Sequence, residues 1–187
     1  MNLASVKKDE RYTYAEYATW GEDLRCELID GSIRMMTAPS DPHQSVLLAL
    51  GSIFKTKLKG SICKPYVSPF AVRLNFDTTD DMVVLPDLLI VCDRSKLDGK
   101  SVKGAPDLVV EILSPSTKHH DKVIKYNKYQ EFGVLEYWII DPDNKFVEVL
   151  VFADGGVPYK VYTATETIVS FAVAGLEVDL VVVFEEY

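Results

Sequence analysis

Two carboxylates stand where carboxylates are costly. Asp87 lies inside the apolar run Val83–Val91 and Glu111 inside Leu108–Leu113, and both runs have the length and composition of β-strands. An acid desolvated in such a run persists when it is hydrogen-bonded, paired or bound to a metal. Two acids on neighbouring strands, aimed at one point, make a hard oxygen site suited to Mg2+ or Mn2+. Such an ion lowers the pKa of a bound water and stabilises charge on a phosphate. The alternative, from spacing alone, is that each acid faces solvent at a strand end or pairs with a lysine. Lysines follow at once: Lys118, Lys122, Lys125 and Lys128 fall in one stretch after Glu111. In an α-helix Lys122, Lys125 and Tyr129 share a face. A lysine there could orient a metal-bound water or stabilise developing charge. For any single lysine a solvated basic face is the alternative.

The elements that must position these groups can be read around them. Thr13 and Glu16 form a capping-box pattern that predicts a helix from Tyr14 to about Asp23. Arg25–Ile29 and Ser32–Met36 read as strands joined at Asp30-Gly31, a strong hairpin signal. Asp41 caps a helix with Pro42 at its first position, and Val46, Leu47, Leu50, Ile53, Phe54 and Leu58 recur at helical spacing up to Gly60. Strands are predicted over Ile62–Val67, Phe70–Asn75, Val83–Val91 and Leu108–Leu113, with Asp93–Ala105 as a loop. Ser114-Pro115-Ser116-Thr117 stops the last of these and caps a helix spanning about Lys118 to Phe132, which Gly133 ends. Glu136–Ile140 is the next strand, and Phe146–Phe152 with Tyr159–Thr163 reads as a hairpin around Gly155-Gly156. The apolar stretch Leu176–Phe184 fits strand or helix. No repeat or linker marks a second domain, so residues 1–187 read as one α/β domain.

Composition narrows the classes. With 48% hydrophobic and 26% charged residues the chain reads as globular and soluble. No apolar run approaches the ~20 residues that cross a bilayer, and the opening MNLASVKKDERYTY lacks the apolar centre of a secretory signal. A cytoplasmic protein without membrane contact is expected. A net charge of −8 argues against coating nucleic acid through bulk electrostatics, though not against a locally basic groove or an acidic site neutralised by a cation. Cys26, Cys63 and Cys92 form no CxxC pair, so neither a zinc cluster nor a disulfide framework is indicated, and reduced thiols are the expectation.

An ordered series of motifs then carries a resemblance. Leu85-Pro86-Asp87 is followed by Ala105-Pro106-Asp107-Leu108-Val109-Val110-Glu111-Ile112-Leu113-Ser114-Pro115-Ser116-Thr117. Asp121, Lys125, Tyr129, Gly133-Val134 and Glu136-Tyr137-Trp138 come next, and Glu27-Leu28-Ile29-Asp30-Gly31 and His43 precede them all. This series, over roughly residues 12 to 152, resembles the PD-(D/E)XK nuclease superfamily and, more narrowly, the Uma-type family of "putative restriction endonucleases". The resemblance implies a restriction-endonuclease-like fold, a mixed central β-sheet flanked by helices. It implies a divalent-metal site (Mg2+ or Mn2+) from Asp87, Glu111 and the backbone carbonyl of Ile112. One departure is plain: Leu113 stands where the (D/E)XK lysine would be. The resemblance places that lysine on the following helix, nominating Lys125 with Lys122 in reserve.

Glu27 reads as an extra metal ligand or water-positioning acid, or equally as a strand-face salt bridge. Asp107 reads as a turn or cap residue, Asp141 as a turn starter and Trp138 as core; His43, His119 and His120 read as exposed residues near helix starts, with phosphate contact, or for His43 the orienting of Glu27, as the alternative. The function expected is metal-dependent phosphodiester hydrolysis of DNA, with Lys125 positioning the attacking water. A homodimer would suit cutting both strands of a duplex. The alternative is a nuclease-fold module that binds or assembles without catalysis, and hydrolysis of a smaller phosphoester also suits the acidic site.

Overall fold

Pro86 divides the apolar run 83–91 in two, and each half joins a different sheet. The computed structural model describes residues 10–20, 24–115, 118–152 and 159–185. Its elements are α1 (Tyr14–Tyr17), β1 (Cys26–Ile29), β2 (Ser32–Met35), α2 (Asp41–Lys57), β3 (Lys64–Val67), β4 (Ala71–Arg73), β5 (Val83–Val84), β6 (Leu88–Val91), β7 (Ser101–Lys103) and β8 (Leu108–Ile112). After these come a π-helical segment His120–Lys125, α3 (Tyr126–Glu131), β9 (Glu136–Asp141), β10 (Phe146–Val151), β11 (Tyr159–Thr163), β12 (Thr167–Val169), β13 (Glu177–Asp179) and α4 (Leu180–Val183). A six-stranded sheet runs β11-β10-β9-β8-β6-β3 and a five-stranded one β2-β1-β5-β4-β7. The first is mixed: β8 and β9 are parallel, joined through the helical segment, and the other pairs are antiparallel.

The six-stranded sheet is apolar on both faces because both are covered, which is why its central strands read as unbroken hydrophobic runs. On one face Val46, Leu50 and Phe54, four residues apart along α2, meet Leu108, Val110, Ile112 and Trp138. Phe54 and Trp138 pack edge to face with centroids 5.7 Å apart. On the other face Leu89, Val109, Leu113, Tyr137 and Ile139 meet Tyr129 and the five-stranded sheet's Val72, Val84 and Val102. The chain after β11 closes the α2 face through Ile168, Val178 and Leu180. Glu136 ties it down: Oε1 accepts from Trp138 Nε1 at 2.7 Å, and Oε2 accepts from Ser170 Oγ at 2.6 Å and Ala172 N at 2.8 Å.

The hairpin turn forms as expected, with φ of 49° at Asp30 and 76° at Gly31, the left-handed pair that a two-residue turn needs. Elsewhere the structure differs from the sequence reading. Helix α1 stops at Tyr17, and residues 21–23 of the predicted helix lie outside the described residues, as do Ser116, Thr117 and the Gly155-Gly156 turn. Ser40, not Asp41, is the N-cap of α2. The loop 93–105 contains β7, which pairs in parallel with β4. Reduced thiols are contradicted for two cysteines: Cys63 and Cys92 form a disulfide, and Cys26 is free and buried. The cause is register. Lys64 pairs with Val91 across β3 and β6, so the next residues outward, Cys63 and Cys92, face each other. Among the described residues no helix is long and apolar enough to cross a membrane.

Candidate active site

Side chains alternate across a strand, so Glu111 falls on the same face of β8 as Val109 and Leu113, toward Tyr129. Its Oε1 accepts from Lys125 Nζ at 2.7 Å and from Tyr129 Oη at 2.7 Å. Lys125 Nζ also lies 2.8 Å from Glu27 Oε1 and 3.8 Å from Asp121 Oδ1. Glu27 Oε1 additionally accepts from the Leu85 amide at 2.9 Å, and His120 Nε2 is 3.3 Å from Glu27 Oε2. Glu27, Glu111, His120, Asp121 and Lys125 are all buried.

Asp87 stands at the junction that Pro86 creates, just ahead of β6. Its Oδ2 accepts from the Ile112 amide at 2.8 Å and contacts His43 Nε2 at 3.1 Å. These are also contacts with the strand that carries Glu111. The Leu113 amide bonds Ile140 on β9, so the amide and carbonyl of Ile112 turn to the opposite edge, toward Asp87. Continuing the β6–β8 register (Leu88 opposite Val110) sets Ile112 opposite Pro86, which has no N–H to offer its carbonyl. Asp87, Glu111, Ile112, Glu27, Asp121, His43, His120 and Lys125 line one cavity.

The electrostatics follow from burial, from three acids around Lys125, and from Asp87 beside Glu111. Burial pushes Glu111 well above the ordinary carboxylate range; Lys125 opposes this, while Asp121, Asp87 and Glu27 add to it. Burial also acts on Glu27, but Lys125, His120 and the Leu85 amide bring its pKa down to about 2. The two acids are nearly equidistant from Lys125; they differ because Glu27 accepts more donors and because Glu111 is the one that three neighbouring acids repel. Burial opposes the charge on Lys125, yet Glu111, Glu27 and Asp121 hold its pKa well above the usual value.

The donor set fits a hard divalent ion. Among the described residues, no hydrogen bond reaches Asp87 Oδ1 or Glu111 Oε2, since the bonds made to these carboxylates end on Oδ2 and Oε1. With the Ile112 carbonyl these are oxygen donors of the kind Mg2+ and Mn2+ take. Around Glu111 three further carboxylates face the single lysine that reaches it, an excess of negative charge that a cation would offset. No three His, Cys, Asp or Glu side chains among the described residues converge as a ready-made ligand group. The candidate set, two side chains and a carbonyl, is smaller than that.

The sequence-nominated residues divide. Asp87, Glu111, Ile112, Glu27 and Lys125 come together. Lys122 does not: it pairs with Glu148. The reason is the π-helical winding of 120–125, whose i→i+5 step brings residues five apart level rather than three. His120 and Lys125, five apart, therefore both reach Glu27, while Lys122 turns away. His43 and His120, read as exposed, are buried against Asp87 and Glu27. Asp107 caps the end of β6, accepting from the Cys92 amide at 2.7 Å. Trp138 is core and Asp141 closes its turn by accepting from the Asn144 amide at 3.0 Å, as read. Tyr129, read as sharing the lysine face, packs in the core and also bonds Glu111.

Comparisons with known proteins bear on the family and the fold. The family model "Uma2: Putative restriction endonuclease" matches residues 13–181. A crystal structure of a "putative nuclease belonging to DUF820" from Anabaena variabilis superposes with a TM-score of 0.74 at 20% identity, covering 92% of this chain and 97% of that one. The chain therefore shares the fold of that structure. An uncharacterized protein of Synechocystis, slr1290, is 28% identical over 127 residues, 67% of this chain. The match spans 65% of that relative's length.

Proposed function

Because the chain belongs to the Uma2 family of "putative restriction endonucleases", we propose that it is a divalent-metal-dependent DNA endonuclease working at the Asp87–Glu111 site. The observation that carries this is Lys125: it arrives from the helix after β8, where the (D/E)XK lysine is missing, and reaches Glu111 at 2.7 Å. Asp87, Glu111 and the Ile112 carbonyl would hold Mg2+ or Mn2+. A bound ion supplies Lewis acidity, which makes a water nucleophilic and offsets charge on the phosphate.

The protein's own groups do the rest. His43 and the Ile112 amide fix Oδ2 of Asp87 and so orient the carboxylate. Tyr129 and Lys125 do the same for Glu111. Lys125, whose pKa its acids hold well above the usual value, would donate a remaining N–H to the attacking water or to a phosphate oxygen. Glu27 holds Lys125 from the other side, and His120 in turn holds Glu27.

The test is cleavage of plasmid and oligonucleotide DNA in Mg2+ or Mn2+. Asp87→Ala and Glu111→Ala should each abolish cleavage without loss of fold; activity that survives both rules the site out. A second reading, a binding or assembly module without catalysis, draws on the same ion pairs, since Lys125 is already satisfied by Glu27 and Glu111. Calorimetric titration with Mn2+ separates the two: absence of binding at millimolar metal favours the module.

A further inference from the structure

The hairpin that delivers Glu27 presents more than that acid. Across β1 and β2 Glu27 pairs with Arg34, and directly opposed residues share a face. Arg25 lies two residues before Glu27 and joins the same face; its carbonyl takes the Met36 amide at 3.0 Å, extending the ladder. Glu27 sits at the buried end of this face, Arg34 is half-buried and Arg25 is exposed. Both arginines line the cavity that holds Asp87, Glu111 and Lys125.

Neither guanidinium is used by the fold. Arg34 stands opposite Glu27, yet the Glu27 oxygens go to Lys125, the Leu85 amide and His120. Among the described residues Arg25 and Arg34 form no ion pair, whereas Arg73, Lys118, Lys122, Lys128 and Lys160 each have an acid. Two uncommitted guanidiniums at the mouth of an acidic cavity, on a chain of net charge −8, call for an anionic ligand that spans the mouth while reaching inside. Arginine's planar fork suits phosphate oxygens.

We propose that Arg25 and Arg34 are the phosphate rim of the site, holding the backbone phosphates that flank the scissile one. This rests on the nucleic-acid reading above and adds where the strand lies: over the β1–β2 hairpin. Such contacts fix register and orientation and carry no base preference.

The experiment is fluorescence anisotropy with a labelled duplex, in Ca2+ and again in EDTA, over a salt series. It compares wild type, Arg25→Ala, Arg34→Ala and, as a distant exposed control, Arg94→Ala. Circular dichroism melts verify that each variant is folded. Each rim variant should weaken binding equally for unrelated sequences and reduce the slope of log K against log salt by about 0.9. Arg94→Ala should leave both unchanged. Rim variants with wild-type slope and affinity overturn the proposal, as does a loss that depends on base sequence. A wild-type chain that binds no duplex in either buffer removes the nucleic-acid reading and the rim with it.

Discussion

Lys125 is the residue on which the site turns. It is a buried cation whose cost is met by three acids, so its removal leaves Glu27 and Glu111 desolvated beside each other. Breaking one partner out of a buried ion pair costs about 3–5 kcal/mol. Lys125→Met should therefore lower unfolding free energy by about that amount in urea melts, against the ~1 kcal/mol or less of a solvent-screened pair. Combining it with Glu27→Gln should recover part of the loss, because the two act as one unit. At this scale the sequence was legible where chemistry restricts residue type. Acids inside apolar runs announce themselves, which is why Asp87 and Glu111 stood out. Histidines do not: a helix start is an ordinary place for one, and nothing local tells that His43 and His120 turn inward.

Elements decide what the residue types can do. Order along the chain exposed the strands and α2, because each carries its own apolar period. Two features were not written in any period. One is the π-helical winding of 120–125, which swaps Lys122 out of the site and His120 in. The other is the break at Pro86, which sends β5 and β6 to different sheets although their residues form one apolar run. That break also sets the Ile112 carbonyl opposite Pro86, which has no N–H to offer it. Pro86→Ala restores a backbone N–H opposite it. The expected result is Mn2+ affinity about tenfold weaker by calorimetry, worth ~1.4 kcal/mol, with a change in unfolding free energy under ~1 kcal/mol. Unchanged affinity would show that the carbonyl is not part of the metal site.

At the scale of the whole molecule, pairings between distant segments are what a single sequence hides. The Cys63–Cys92 disulfide is an example: it depends on the β3–β6 register, and the two cysteines are 29 residues apart. Closing a loop of that length stabilises by about 3–4 kcal/mol in the chain-entropy treatment. Reduction should lower the urea midpoint accordingly, and a midpoint indifferent to reductant would show that the thiols are unbonded in solution. The five-stranded sheet was hidden in the same way, since it gathers β1, β2, β4, β5 and β7 from the first hundred or so residues into one layer. Glu136 reaches in the other direction, to Ser170 and Ala172, 34 and 36 residues later. During synthesis from N- to C-terminus, β9 emerges with that carboxylate and no partner for its Oε2 until residues 170–172 have followed. β9 is also the neighbour that pairs with the Glu111 strand. The Glu136 tie therefore forms only after β10 and β11, the last strands of the six-stranded sheet, have been made. A nascent chain would carry Asp87, Glu111 and Lys125 before it carried the residues that tie down the strand beside them.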